Sequence, residues 1–234
     1  MDFGASDAPL TPDQATACKS CLVIPWALSA TSIPYHIDGL NGRLRLDGAT
    51  LANIYLGKIT KWNDAAIKAL NPKLTLPDLK ITPVYRSDGS GTTYNFTEYL
   101  SSVSQEWKDS VGNATSVSWK AGTGARGSSG VAGVVKSTNG ALTYVDVAYS
   151  LANKFTFATI KNRAGTFATP GLRGIQAAVS QLPAKVTDLS QLKIVDPPAS
   201  AGRPGSGPGP ELALGPRVYT RICGFSGSAS ETAA

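Results

Sequence analysis

Arg86, Asp88, Ser90, Gly91 and Thr92 fall within one short stretch, YRSDGSGTTYNFTEYL at 85–100, and their types suit the holding of a compact oxyanion. An arginine presents a planar fork of N–H donors matched to the oxygens of such an anion, and a nearby carboxylate such as Asp88 can fix the fork in place. Ser90 and Thr92 bring hydroxyls, while Gly91, which has no Cβ, lets backbone N–H groups approach a ligand closely. Behind them Phe96, Tyr99, Leu100 and Val103 recur at i, i+3, i+4 and i+7, a spacing that predicts a helix with one apolar face. The first amides of a helix lack intrahelical acceptors and lie at the positive end of its dipole, so a helix starting here aims donors at an anion. The β-like run Leu79 to Tyr85 delivers Arg86 to that spot. Taken alone, the same string also describes a capped helix after a turn, with Arg86 and Asp88 forming a surface pair of about 0–1 kcal/mol.

Other groupings point to chemistry less well. Gly122-Thr123-Gly124-Ala125-Arg126-Gly127 satisfies G-x-G-x-x-G, with Asp146 about twenty residues on, as a dinucleotide site requires. However, the preceding run Ser116 to Lys120 is short and polar, and the expected helix around Val131 to Lys136 is brief and glycine-containing. These glycines therefore read as a turn that lets a second helix start approach the same cleft. Ser90 has no G-x-S-x-G elbow, and His36 is the sole histidine, so no nucleophile–base pair is indicated. Cys18 and Cys21 form a C-x2-C pair compatible with a redox couple, half a zinc site or a short disulfide. No second pair completes a zinc site, and no metal is expected. Trp26, Trp62, Trp107 and Trp119 are not interleaved with clustered basic residues, which argues for core packing over a nucleic-acid platform.

The 234 residues suffice for one large or two small domains. A net charge of +6 is spread along the chain with no polybasic block, which gives a mild bias toward anions and excludes a nucleic-acid arm. No apolar run approaches the ~18 residues of a membrane-crossing helix. Strand-like segments at 2–6, 22–37, 43–46, 79–85, near Val117, at 141–145, 155–160 and 192–195 alternate with helical ones near 11–20, 51–56, 64–70, 91–103, 131–136 and 172–182. That alternation predicts an α/β fold.

RSDGSGTTYNFTEYL, together with DFGASDAPL at 2–10, LDGATLANIYLGKITKWNDAAIKALNP at 46–72, WKAGTGARGSSGVAGVV at 119–135 and GALTYVDVAYS at 140–150, resembles the phosphate-binding component of the high-affinity phosphate ABC importer, the PstS type. The resemblance covers most of residues 2–198. It implies an α/β, type II periplasmic-binding-protein-like fold of two lobes joined by a hinge. It also implies capture of inorganic phosphate for delivery to a membrane permease, by a monomer that needs no cofactor and performs no catalysis. Asp7, Arg86, Ser90, Gly91 and Thr92 match the family's phosphate ligands, and Asp88 matches the arginine's partner. In that role Asp7 accepts the proton that phosphate carries and sulfate lacks, although Asp7 by its own position could equally cap the helix near Thr11. Export of the family to the periplasm or cell surface favours a Cys18–Cys21 disulfide.

The resemblance also implies a division into a first-lobe remnant with hinge crossing at 1–31, a largely complete second lobe carrying the anion seat at 32–198, and a tail at 199–234. The family's export signal and two further phosphate loops precede the DFGASD segment and are not seen, so truncation and weakened binding are expected. The tail holds seven Gly and four Pro against five Leu, Ile, Val or Phe, and it reads as disordered or aberrant, with Cys223 unpaired. The competing functions are a dinucleotide-binding oxidoreductase-like domain using the GTGARG loop, and a phosphoester-handling enzyme on the same seat.

Overall fold

Three sheets are formed by the residues that the computed structural model describes, namely 3–8, 10, 12–18, 22–171, 174–175 and 216–223. In chain order the elements are β1 (Phe3–Ser6), α1 (Pro12–Ala17), β2 (Leu22–Ser32), β3 (Arg45–Asp47), α2 (Gly48–Tyr55), α3 (Ala65–Leu70), β4 (Thr82–Arg86), α4 (Gly91–Val103), α5 (Gln105–Ser110), β5 (Thr123–Ala125), α6 (Gly127–Ser137), β6 (Ala141–Leu142), β7 (Val145–Asp146), α7 (Val147–Ala152), β8 (Thr159–Lys161), β9 (Phe167–Ala168) and β10 (Pro216–Cys223).

The sheet that carries the predicted seat has the order β5-β4-β6, with both pairings parallel. Parallel neighbours need crossovers, and α4 with α5 supplies one while α6 supplies the other. Successive residues of β4 serve opposite faces, as a pleated strand dictates. Val84 packs with Val131 and Val135 of α6, whereas Tyr85 packs against the larger core of Tyr55, Phe96, Leu100 and Tyr144. The helices begin where their capping residues stand. Asp47 accepts a hydrogen bond from the Thr50 amide at 2.8 Å to start α2, and Asp64 caps α3 by accepting from the Ala66 amide at 2.9 Å. A second small sheet, β3-β8-β9, completes this α/β layer through the parallel register Leu46↔Ile160.

The third sheet has the order β1-β10-β2-β7 and is antiparallel throughout. The expectation of disorder over 199–234 fails for 216–223, which form a strand between β1 and β2 in the register Phe3↔Cys223 and Pro216↔Ala30. The reason is local: PRVYTRIC contains Val218, Tyr219, Thr220 and Ile222, strong strand formers that a composition averaged over the glycine- and proline-rich tail conceals. Past Ser32 the chain continues from β2 through bridges at Pro34↔Phe157 and Tyr35↔Leu142, so the long β-like run is one strand crossing from this sheet toward the α/β layer. The crossing is lined by small polar groups: Ser32 Oγ donates to Val145 O at 3.1 Å and shares a 2.8 Å hydrogen bond with Ser150 Oγ.

Five further expectations differ from the structure or fall outside it. Val117 lies in an irregular segment, and the strand there is instead β5, inside the glycine motif itself. The following helix is longer than expected, at Gly127–Ser137. Cys18 is buried and disulfide-bonded, but Cys21, most of the expected helix over 172–182 and the expected strand at 192–195 lie outside the described residues.

Candidate functional site

Arg86 is the last residue of β4, and a three-residue turn separates it from Ser90, the N-cap of α4. Helices that follow the carboxyl ends of parallel strands place their N-termini along one rim of a sheet, where ligands of open α/β folds bind. The start of α4 is capped by its own N-terminal residue. Ser90 Oγ accepts from the Thr93 amide at 3.3 Å, and the Ser90 amide is tied to Thr115 O at 2.9 Å. Both Ser90 and Thr92 are buried, at 6% relative exposure each, so their hydroxyls sit at the rim of the core and not on a freely solvated surface.

The Arg86 guanidinium is fixed before any ligand arrives. Its Nε donates to Asp88 Oδ1 at 2.7 Å, Nη2 donates to Asp88 Oδ2, and Nη1 reaches Ser128 Oγ of α6 at 3.4 Å. Asp88 Oδ1 also accepts from the Gly127 amide at 3.0 Å, so one carboxylate links the arginine to the start of a second helix. These bonds, led by those from Arg86, hold the Asp88 carboxyl well below the usual carboxylate range. In return, the hydrogen bonds that Arg86 donates to Asp88 raise its own pKa against the opposing effect of burial, and Asp7 adds to the same field.

Asp7 follows β1 in a different sheet, yet its carboxylate lies directly on the start of α4. A Cβ built on Gly91 would stand 1.4 Å from Asp7 Oδ1 and 2.2 Å from its Cγ. Thus the missing side chain at Gly91 is the space that Asp7 occupies. The structure therefore brings Asp7, Arg86, Asp88, Ser90, Gly91 and Thr92 to one rim. Cys18, at the end of α1, takes no part in these contacts and serves the fold through its disulfide.

Residue-by-residue reasoning missed two supports. Tyr144 Oη accepts from the Arg86 amide at 3.1 Å and pairs with Thr93 Oγ1 at 2.7 Å, stitching the end of β4 to the first turn of α4. Burial pushes its phenol up to about 12, so it remains a neutral hydroxyl. Asn95 Nδ2 donates both to Gly91 O at 2.9 Å and to Asp7 O at 3.1 Å. Nothing in the sequence singles out Asn95, because it stands among other weak helix formers in GTTYNFTEYLSSV.

The glycine motif at 122–127 has no turn in which to cradle a diphosphate, because β5 occupies its centre. Gly122 adopts φ 107°, and a Cβ there would stand 2.3 Å from Pro83 O, so this glycine serves the close β4–β5 pairing. Gly124 lies under Tyr85, whose ring stacks on Trp119 at 5.0 Å. His36 is engaged by Val135 O at 3.1 Å and Asp38 Oδ1 at 2.9 Å, and it is not joined to Ser90. Among the described residues no cluster of His, Cys, Asp and Glu could hold a metal, and no helix is long and apolar enough to cross a membrane.

The profile of the PBP superfamily domain matches residues 1–204. The chain belongs to the PBP superfamily. Members similar to it include the phosphate-binding protein PstS of Xylella fastidiosa strain Temecula1, 48% identical over 182 residues, or 77% of this chain and 50% of that protein. The PstS of Haemophilus influenzae is 41% identical over 183 residues, covering 77% and 54%, and that of Methanocaldococcus jannaschii 35% over 202 residues, covering 81% and 52%. The chain thus spans about half the length of the curated relatives it matches.

Among solved structures, a high-affinity periplasmic phosphate-binding protein bound with phosphate superposes with a TM-score of 0.67 at 20% identity, covering 95% of this chain and 65% of that one. An ABC-type phosphate transport receptor from Vibrio cholerae gives 0.54 at 16% identity, covering 98% and 69%. At these identities the likeness establishes the fold, which is the periplasmic-binding-protein α/β type of this superfamily.

Proposed function

We propose that this chain contributes a phosphate seat to a substrate-binding protein of a phosphate ABC importer. One observation carries the reading: an arginine fork already chelated by Asp88 stands at a helix start where the Cβ space of Gly91 is filled by the carboxylate of Asp7. Arg86, the amides at 91–92 and the hydroxyls of Ser90 and Thr92 supply donors to a tetrahedral anion. Charge-assisted bonds of this kind contribute about 1.5–3 kcal/mol each, enough in sum to offset the anion's desolvation. A carboxylate in the same seat repels any anion that has no proton to share. Phosphate near neutral pH has one and sulfate has none, so Asp7 selects phosphate.

In this reading the protein binds and releases phosphate without chemistry. The named relatives, all phosphate-binding proteins, support that, as do the engaged nitrogens of His36. Residues 1–31 belong to a first lobe and hinge crossing and 32–198 to the second lobe, with β10 joining the described part of 199–234 to the first. The whole protein acts as a monomer in the periplasm or at the cell surface, closing on phosphate and handing it to a membrane permease.

Isothermal titration calorimetry, with thermal melting alongside, tests the proposal. Phosphate should bind saturably, one per chain, and raise the melting temperature with concentration as RT ln(1 + [L]/Kd) requires, while equal sulfate does neither. A chain that ignores phosphate, or binds the two anions alike, would not be performing this function.

A further inference from the structure

Asp7 and the start of α4 come from different sheets, and the bond joining them spans 88 residues of sequence. A carboxylate that must accept a proton from a bound anion has to be set to within a few tenths of an ångström, because an O–H···O hydrogen bond weakens steeply outside about 2.5–3.0 Å. Neither β1 nor α4 alone can provide that setting. Gly91 makes room for the carboxylate, and the charge of Arg86 lies in the same field.

Asn95 contributes to that setting through the Asp7 backbone. It lies one turn into α4, half-buried, and its Nδ2 holds two carbonyl oxygens at once. One is Gly91 O of its own helix at 2.9 Å, and the other is Asp7 O at 3.1 Å. The first bond holds the Asn95 side chain against the helix, so the second ties the Asp7 backbone to the helix start. Asparagine is a poor choice for a helix interior on propensity alone, since its side chain competes for backbone partners. Here that competition is what the position uses.

We propose that Asn95 is the positioning residue that sets anion selectivity in this site, acting through Asp7 and not by touching the anion. The inference rests on the phosphate reading above. With the tether cut, the Asp7 carboxylate still repels every anion but no longer meets the proton that phosphate offers. Phosphate then loses its advantage while sulfate, which had none, is little affected. A merely structural role would weaken both anions together.

The test is the ratio of sulfate to phosphate dissociation constants by calorimetry in the wild-type chain, N95L, N95D, D7N and the N95L/D7N double variant. N95L replaces the amide with a side chain of similar size and no donor. N95D retains size and polarity but presents no donor to the two carbonyls, and it serves should N95L fail to fold. The wild-type ratio should fall roughly tenfold in N95L and N95D, the scale expected for one misplaced hydrogen bond. N95L should then add nothing to the loss already caused by D7N.

An unchanged ratio in N95L and N95D, a parallel weakening of both anions, or a further loss in the double variant would overturn the inference while leaving phosphate binding by the wild-type chain intact. A wild-type chain that does not bind phosphate overturns both this inference and the function on which it rests. The wild-type titration therefore separates the two failures.

Discussion

Replacing Gly91 with alanine is the sharpest test of the seat. The added Cβ would fall 1.4 Å from Asp7 Oδ1, 2.2 Å from Cγ and 3.0 Å from Oδ2, inside the carboxylate itself. Reaching an ordinary contact of 3.4 Å requires Asp7 Oδ1 to retreat by about 2 Å. The helix does not resist the change, since alanine is preferred to glycine in helices by up to about 1 kcal/mol. The whole cost therefore falls on the placement of Asp7.

Losing the charge-assisted bond from phosphate to that carboxylate corresponds to about 1.5–3 kcal/mol, or roughly ten- to a hundredfold in Kd. Phosphate affinity should fall by that factor, with the phosphate-over-sulfate preference shrinking alongside and the melting temperature of the free chain almost unchanged. Calorimetric titration of both anions reads the first two quantities, and scanning calorimetry the third. If Gly91→Ala bound phosphate with wild-type affinity and preference, the Asp7 carboxylate would not be a working part of the seat.

Other perturbations probe the supports. Tyr144→Phe removes the acceptor of the Arg86 amide and the partner of Thr93 Oγ1, at a cost of about 1–2 kcal/mol. It should lower the melting temperature by about 2–8 °C for a chain of this size, measured by circular dichroism. The Asp88 carboxyl is held below its ordinary range, so its stabilisation is complete above the unfolded value near ~4 and is lost as pH falls through the lower folded value. The melting difference between wild type and Asp88→Asn should accordingly be constant from pH 8 to 5 and narrow below about pH 4. Ending the chain before Pro216 removes β10, the neighbour of both β1 and β2. The amides of β2 should then exchange hydrogen faster and phosphate affinity should drop through Asp7; unchanged exchange would mean that the strand contributes nothing to the sheet.

How legible the molecule was depended on how far apart its interacting parts lie along the chain. Arg86, Asp88 and Ser90 sit within one turn of chain, and there residue type and spacing anticipated the chelated fork and the capped helix that the structure contains. The apolar stripe of Phe96, Tyr99 and Leu100 was equally plain, and all three are buried. The errors came from averaging and from reading glycine as turn. A tail judged by its composition concealed the β-rich run 216–223, and glycines read as a turn flank and enter a strand, where they permit close pairing with β4.

What composition and periodicity could not reveal is that Gly91 is vacant for Asp7, because nothing near Gly91 in the sequence distinguishes a glycine needed for its own backbone from one needed for a remote side chain. The resemblance supplied Asp7 as a name, and the fold supplied the reason. A carboxylate from the β1 sheet and an arginine from β4 oppose each other across the start of α4, so the site is completed only when two sheets meet. On the proposed phosphate reading, that arrangement makes selectivity a property of the junction between them. Any change that loosens the junction, whether at Asn95, Gly91 or β10, should erode the preference for phosphate before it abolishes the attraction of Arg86 for anions in general.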